Sequence, residues 1–458
     1  MSSTRHGDSP HSAQSAQDQR DRNRAVIAST VGAIIEWYDF GLYSIAAGLV
    51  FPSLFFPQSD PLAGTINAFI VFAVGYIARP VGALIFGHFG DRLGRKGALV
   101  ATILLMGAGT FLVALVPTYS QIGIWGAVML SVLRFLQGLG VGGEWSGAIL
   151  LSMEWSRPKR RGLFASWPQI GVPMGALFSN LMFGGASLAT GSAFMTWGWR
   201  IPFAFSAILV ALGLYMRLGL TETPVFREFS NAGQVHRLPV IKAIQQHYKE
   251  IILISLLRMS ELSSFIIFTV FVFTIGVQVL HFDRNFILAA LLVALAIECV
   301  WVPVSGALSD RFGRKLMFSI GVAGAGLFSF VYFAGFATAS PTLVFLVIAL
   351  SLIPHGLQYG AEAALITESF AANVRYSGSA VGYQLASILG GGPTPIIATL
   401  LFVRDRSGYL IAAYLLLCSV ISIVAASFMK EGRHVSKPGE DERAGSLRDD
   451  SGVPVALD

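Results

Sequence analysis

The 458 residues are 54% hydrophobic and only 13% charged, with a mean hydropathy of +0.65. A soluble domain is about one-quarter charged, so this chain has too little polar surface to cover a water-soluble globule and most of its exterior must face lipid. The net charge of +6 is no nucleic-acid footprint, because the Lys and Arg residues sit mainly in short loops between apolar runs, where they report orientation.

Along the chain, residues 1–23 form a polar Ser/Gln/Asp/Arg-rich stretch, predicted to be a disordered tail with no cleavable signal peptide. Apolar runs follow at 25–50, 62–88, 97–116, 122–153, 162–187 and 198–218, and after a polar segment at 219–248 six more occupy 249–279, 285–308, 316–337, 342–368, 377–402 and 408–429. Each is near or above the ~20 residues that cross a hydrocarbon core. The pattern predicts an all-α membrane protein of twelve transmembrane helices. Its two six-helix halves are 24–218 and 249–429, joined by a linker at 219–248 and followed by a charged tail at 430–458 without heptads.

A cassette repeats between the halves. Gly87-His88-Phe89-Gly90-Asp91-Arg92-Leu93-Gly94-Arg95-Lys96 returns as Gly306-Ala307-Leu308-Ser309-Asp310-Arg311-Phe312-Gly313-Arg314-Lys315. Glu154 and Arg161, between the fourth and fifth runs, return as Glu368 and Arg375 between the tenth and eleventh, and each pair leads to a Gln in the next run, Gln169 and Gln384. Two parallel copies of one membrane half explain this. Arg92, Arg95, Arg161, Arg311, Arg314, Arg375 and the other basic loop residues share one side, while the opposite loops hold little beyond Asp60, His281, Asp283, Arg284, Arg404, Asp405 and Arg406. The positive-inside rule makes the basic side, and with it both termini, cytoplasmic. Asp91, Arg92, Arg95, Asp310, Arg311, Arg314, Glu154, Arg161, Glu368 and Arg375 then form a cytoplasmic gate of wet ion pairs, each worth about 0–1 kcal/mol and easily broken.

An ionisable side chain within a span is a functional hypothesis by default. Glu36 and Asp39 share a face of the first span, roughly 18–22 Å along it from Arg24 at ~1.5 Å per residue. Two carboxylates that close do not both stay ionised in low dielectric unless an Arg is near. With Arg134 in the fourth span they are the candidate proton-coupling groups. Arg258 and Glu261 in the seventh span, Arg79 in the second, Gln169, Gln384 and Tyr38 are the candidate substrate contacts, Arg being suited to grip a carboxylate through two parallel hydrogen bonds. Glu298 and Glu362 are expected to make helix-to-helix hydrogen bonds. Gly138, Gly140 and Gly143 match a dinucleotide fingerprint only formally, since no strand or crossover surrounds them, and they predict close helix packing. Cys299 and Cys418 lie inside spans, in no metal-ligand spacing. No cofactor, metal site or nucleophile–base constellation is predicted, and the chain does not read as an enzyme.

The repeated G-x-x-x-D-R-x-G-R-K resembles the signature of the major facilitator superfamily, and Arg134-Phe135-Leu136-Gln137-Gly138 resembles its fourth-span R-x-x-Q-G motif, associated with proton transfer opposite a first-span acid. Glu36-Trp37-Tyr38-Asp39-Phe40, Arg79-Pro80, Gly142-Gly143-Glu144-Trp145, Trp197 to Phe203, Thr221 to Phe226 and Arg375-Tyr376-Ser377-Gly378 are similar to the bacterial metabolite–proton symporters, across roughly residues 25–430. The resemblance implies an importer of a small organic acid, driven by the proton gradient through alternating access in a bacterial inner membrane. Nothing calls for more than a monomer, its partners being the acid, protons and the bilayer. Arg258-Met259-Ser260-Glu261 resembles the R-x-x-E of shikimate-type members. Tyr359-Gly360-Ala361-Glu362 departs from the Gly-Pro-Gln of close relatives, which puts inherited specificity in doubt there. The alternatives are an exporter or antiporter, or a proline/betaine symporter; the absence of a C-terminal coiled coil counts against the latter.

Overall fold

A bilayer offers no water to backbone N–H and C=O groups, so a spanning chain must satisfy them within itself as helix. The computed structural model describes residues 10–93, 95–154, 156, 158–218, 239–370 and 375–429. Ten helical stretches among them are long and apolar enough to cross a membrane. Two further helices complete a set of twelve: α1 (Pro10–Leu49), which carries Glu36 and Asp39, and α3 (Arg95–Val113), whose apolar part is the shorter Val100–Val113. The others are α2 (Pro61–Leu93), α4 (Trp125–Met153), α5 (Arg161–Gly198), α6 (Arg200–Leu218), α7 (Ile244–Val279), α8 (Arg284–Phe312), α9 (Arg314–Ala337), α10 (Pro341–Glu368), α11 (Tyr376–Arg404) and α12 (Tyr409–Phe428).

Helix starts follow local chemistry. The Asp283 carboxylate accepts hydrogen bonds from Asn285 N and Phe286 N to open α8, and Pro341 occupies the first position of α10, where no N–H is needed. One expectation needs correcting: residues 10–23 are a helical extension of α1, not a disordered segment. Ala, Gln and Arg are good helix formers, and lengthening an existing helix avoids the nucleation penalty. Residues 1–9, most of the 219–248 linker and the 430–458 tail lie outside the described residues. A non-helical residue at His247 (φ −127°, ψ 28°) separates the described end of the linker from the span that follows.

The two halves repeat one packing scheme. α1 packs on α5, α2 and α3 on α4, and α3 on α6; six helices later α7 packs on α11, α8 and α9 on α10, and α9 on α12. Glycines set the closest crossing: a Cβ at Gly138 would collide with Gly75 O, and one at Gly142 with Arg79 O, so α4 lies against α2 backbone to backbone. The halves meet where α5 touches α8 and α10, and where α2 touches α11.

Both ends of this interface are closed. At the cassette end, Gly162 N and Leu163 N donate to Asp310 Oδ1 and Oδ2, each at 2.9 Å, and Tyr376 Oη donates to Gly143 O at 3.0 Å. At the far end Gln278 Nε2 donates to Gly48 O at 2.9 Å, and the Arg284 guanidinium lies 5.0 Å from the rings of both Phe183 and Phe194. The charged residues between the two ends are enclosed.

Candidate substrate and proton site

Four helices are interrupted at the depth of the buried charges. α4 breaks at Gly143–Glu144, α5 at Ile170 just beyond Gln169, and α7 at Arg258, between helical pieces ending at Leu257 and restarting at Met259. α7 continues in π-helical turns at Ile267–Phe271 and Thr274–Val279, and α11 has one at Ser387–Gly391, just past Gln384. Such turns concentrate at functional sites, and interrupted helices hold the solute in transporters built from repeats.

In the N-terminal half, Asp39 is buried, with neither carboxylate oxygen hydrogen-bonded. It lies beside Thr110 and within electrostatic reach of Arg134. The Thr110 hydroxyl is occupied, donating to Met106 O and accepting from Gln137 Nε2 at 2.7 Å. Arg134 stacks 4.0 Å from Phe40 and 4.3 Å from Tyr43, donates from Nη1 to Gln137 Oε1 at 3.3 Å, and leaves Nη2 without a partner. Among the described residues no hydrogen bond or ion pair joins the Asp39 carboxylate to Arg134. Glu36 turns instead toward Glu144, Arg79 and Arg217. Glu144 and Arg217 form a tight buried pair against Gly32, where a Cβ would come within 2.6 Å of Arg217 Nη2.

Arg79 is the unusual cation. Its guanidinium lies 4.3 Å from the Phe40 ring, 4.5 Å from Tyr76 and 5.6 Å from Trp37, while Nε and Nη2 find no hydrogen-bond partner. It faces the other half: Tyr383 and Arg258 act on it electrostatically, Tyr76 crowds Gly391 of α11, and Trp37 meets Phe265 of α7 edge-on. The Glu36 carboxylate lies within electrostatic reach of Arg79, but burying guanidinium donors without hydrogen-bond partners still costs free energy.

Arg258 is the opposite case. Nη2 bonds Glu261 Oε2 and Nε bonds Glu362 Oε1, both at 2.7 Å, and Nη1 donates to Tyr383 O at 2.8 Å. The guanidinium lies 3.3 Å from the Tyr383 ring centre, whose other face stacks on Trp145 at 3.6 Å. Glu362 thus makes a helix-to-helix hydrogen bond from α10 to α7, with an arginine as its partner. Trp145 Nε1 donates to Gln169 Oε1 at 2.8 Å, Gln169 Nε2 donates to Tyr359 O, and Gln384 Nε2 donates to Val141 O, the last two at 3.3 Å. The two repeated glutamines thus bridge the halves reciprocally. Tyr38 is directed elsewhere: its hydroxyl donates to Pro202 O at 2.8 Å and its ring packs on Phe178 and Phe205, so α1 turns it into the N-terminal half, away from the interface.

Sequence reasoning singled out neither His355, bonded to Glu298, nor the Glu144–Arg217 pair, and it quoted Trp145 only as part of a pattern. An ionisable residue inside a predicted span was the available signal for His355. At the cassette end, Arg314 Nη2 pairs with Asp310 at 2.7 Å and Nε approaches Glu368 at 3.5 Å, while Arg311 is exposed and Arg161 half-buried. The side chains of Asp91, Arg92, Arg95, Glu154 and Arg375 lie outside those described.

Residues 30–391 match the sequence family described as Major Facilitator Superfamily. The chain is 40% identical to the inner membrane metabolite transport protein YhjE of Escherichia coli (strain K12), covering 91% of this chain and 96% of that protein. It is also 40% identical to the shikimate transporter of the same organism, over 90% and 95%. A solved structure of the proton:xylose symporter XylE bound to 6-bromo-6-deoxy-D-glucose superposes with a TM-score of 0.70 at 16% identity, covering 90% of this chain and 97% of that one.

Proposed function

The chain belongs to the major facilitator superfamily, a family of membrane transporters and not enzymes, and on that premise we propose that it imports a small organic anion together with protons. The observation that carries this reading is Arg79, buried at the junction of the halves with two guanidinium nitrogens unpartnered and Trp37, Phe40 and Tyr76 around it. A carboxylate takes two parallel charge-assisted hydrogen bonds from such a fork, and the aromatic walls favour a ring or flat hydrocarbon behind it. The shikimate transport named for a relative at 40% identity points to the same class. Arg258, already saturated by two glutamates, serves as a partner-exchange site and not as the first anion contact. Asp39 and Arg134 are the coupling pair: an acid that takes its proton where it is unpaired releases it when Arg134 swings onto it. No cofactor takes part, and the proton gradient supplies the energy. The cassette end, gated by Asp310, Arg314 and Glu368, faces the cytoplasm of a bacterial cell with the termini, and the protein works as a monomer.

Uptake of labelled shikimate, 2-oxoglutarate, protocatechuate and betaine into proteoliposomes with an acidic exterior, with and without a protonophore, tests the reading. Protonophore-sensitive accumulation of one of the acids supports it and names the substrate class. Accumulation of betaine alone replaces the anion with an osmolyte, and efflux without uptake replaces import with export.

A further inference from the structure

Five ionisable groups form one continuous chain through the C-terminal half, apart from Asp39 and Arg134. Glu298 Oε1 meets His355 Nδ1 in a short hydrogen bond, and His355 Nε2 lies 3.7 Å from Glu261 Oε1. Glu261 Oε2 and Glu362 Oε1 each lie 2.7 Å from a nitrogen of Arg258. None of the five side chains is more than 3% exposed. α8, α10 and α7 supply them, and α7 is interrupted at Arg258 itself.

Glu298 bonds Nδ1 of His355, and the Glu261 carboxylate stands 3.7 Å from Nε2, which has no hydrogen-bond partner of its own. With one nitrogen bare, a lone pair would point at a carboxylate in a buried site where such repulsion is poorly screened. The geometry therefore calls for a hydrogen on both nitrogens. Even then three carboxyls stand against two cations, leaving one negative charge to be balanced by a further proton, since an uncompensated buried charge is strongly disfavoured. The nearest further cation is Arg79 of α2, within electrostatic reach of Arg258 but also facing the Glu36 carboxylate. α8 contributes Glu298, α7 contributes Glu261 and Arg258, and α10 itself contributes Glu362 and Tyr359. α11 contributes Tyr383 beyond Arg258, and Phe265 covers one side of the imidazole. α5 and α9, which also pack on α10, carry no Asp, Glu, Lys or Arg beyond Arg161, Arg314 and Lys315 at the cassette end.

We propose that this chain is a second proton-binding site, centred on His355 between Glu298 and Glu261 and distinct from Asp39. A proton here draws α7, α8 and α10 together. Its loss frees the α7 piece that carries Glu261 and Arg258, so the site ties the protonation state of the C-terminal half to the same movement that exchanges partners at Arg258. This deepens the import reading above and rests on it for the role of the proton, though not for its presence.

The test uses full-length protein labelled with 15N-histidine in lipid nanodiscs, with His355→Gln identifying the signal. The expected wild-type signature at neutral pH is a pair of protonated ring nitrogens, changing to one protonated and one bare in Glu298→Gln. A bare nitrogen in the wild type overturns the proposal. In proteoliposomes loaded with shikimate, His355→Gln and Glu298→Gln are expected to lose gradient-driven accumulation while keeping shikimate exchange. Full accumulation in both variants overturns it as well. Wild-type protein that takes up none of the four solutes removes the import reading, while the ring-nitrogen measurement still decides the proton site.

Discussion

Two buried arginines of the same chain sit in opposite conditions, and the difference assigns their roles. Arg258 has a partner on every side, whereas Arg79 has aromatic rings on its faces and open donors at its edge. Lys keeps the charge and loses the planar fork, so Arg79→Lys is expected to weaken apparent substrate affinity while leaving the protein folded. The loss of about 1.5–3 kcal/mol for a charge-assisted hydrogen bond corresponds to roughly 10–100-fold in KM, read from initial uptake rates against concentration. An unchanged KM would place the anion elsewhere. Asp39→Asn removes the titrating acid without changing its shape. It is expected to abolish accumulation against a gradient while exchange of labelled for unlabelled solute continues; intact accumulation would discard Asp39 as the coupling acid. Both residues were legible in the sequence, because a charge inside an apolar run is conspicuous whatever its partners. Which charge was paired was not legible. That Glu362 holds Arg258, or that Tyr38 turns its back on the interface, depends on helix rotation and on residues more than a hundred positions away.

At the scale of the element, the helices are interrupted mainly at the depth of the buried charges, with the kink at His247 and the π-helical turn at Phe194–Gly198 lying elsewhere. Hydropathy gave away the ten long apolar spans, since lipid imposes one rule on length and polarity, and the repeated cassette pointed to two halves. The interruption at Ile170 was legible, since Pro168, Gly171 and Pro173 flank it and Pro173 has no N–H to give to the carbonyl of Gln169, whereas the one at Arg258 has no Gly or Pro beside it. The start of α5 shows how closely those halves fit. A Cβ at Gly162 would collide with Arg314 Nη1 and come within 2.5 Å of Gly306 O, and one at Gly306 would lie 2.5 Å from Ser166 Oγ. Backbone cannot yield as a side-chain tip does. Gly162→Ala is therefore expected to wedge the cassette end apart, seen as a longer spin-label distance across that end and a lower rate of uptake with little change in KM. An unaltered distance distribution would show that α5 and α8 separate freely there and do not form the gate.

On the scale of the whole molecule, transport needs one end of the interface to open while the other holds, and the two ends are not equally fastened. The cassette end is held by charge: Asp310 accepts two backbone N–H bonds at the start of α5 and pairs with Arg314, which reaches Glu368. A carboxylate at a helix N-terminus also meets the positive end of the helix dipole. Among the described residues the far end is joined by a neutral hydrogen bond from Gln278 to Gly48, by the Arg284 guanidinium over Phe183 and Phe194, and by apolar packing of Leu288 against Gly184. A cation–π contact is worth about 0.5–2 kcal/mol, while hydrogen bonds to a charged group are worth ~1.5–3 kcal/mol each. The far end should thus open first from the occluded arrangement, exposing Arg79 to the side that the proposed orientation makes external, as an importer requires. Two substitutions should then push the equilibrium in opposite directions. Arg284→Ala removes the weaker fastening and raises the population open at the far end. Asp310→Asn weakens the stronger one and raises the population open at the cassette end, by about tenfold for each 1.4 kcal/mol lost. Pairs of spin labels across each end, measured in nanodiscs without solute, read both populations at once. If the two variants shift them in the same direction, the ends are not coupled through rocking of the two halves, and opening must instead arise from bending of α7 and α11 at their interruptions.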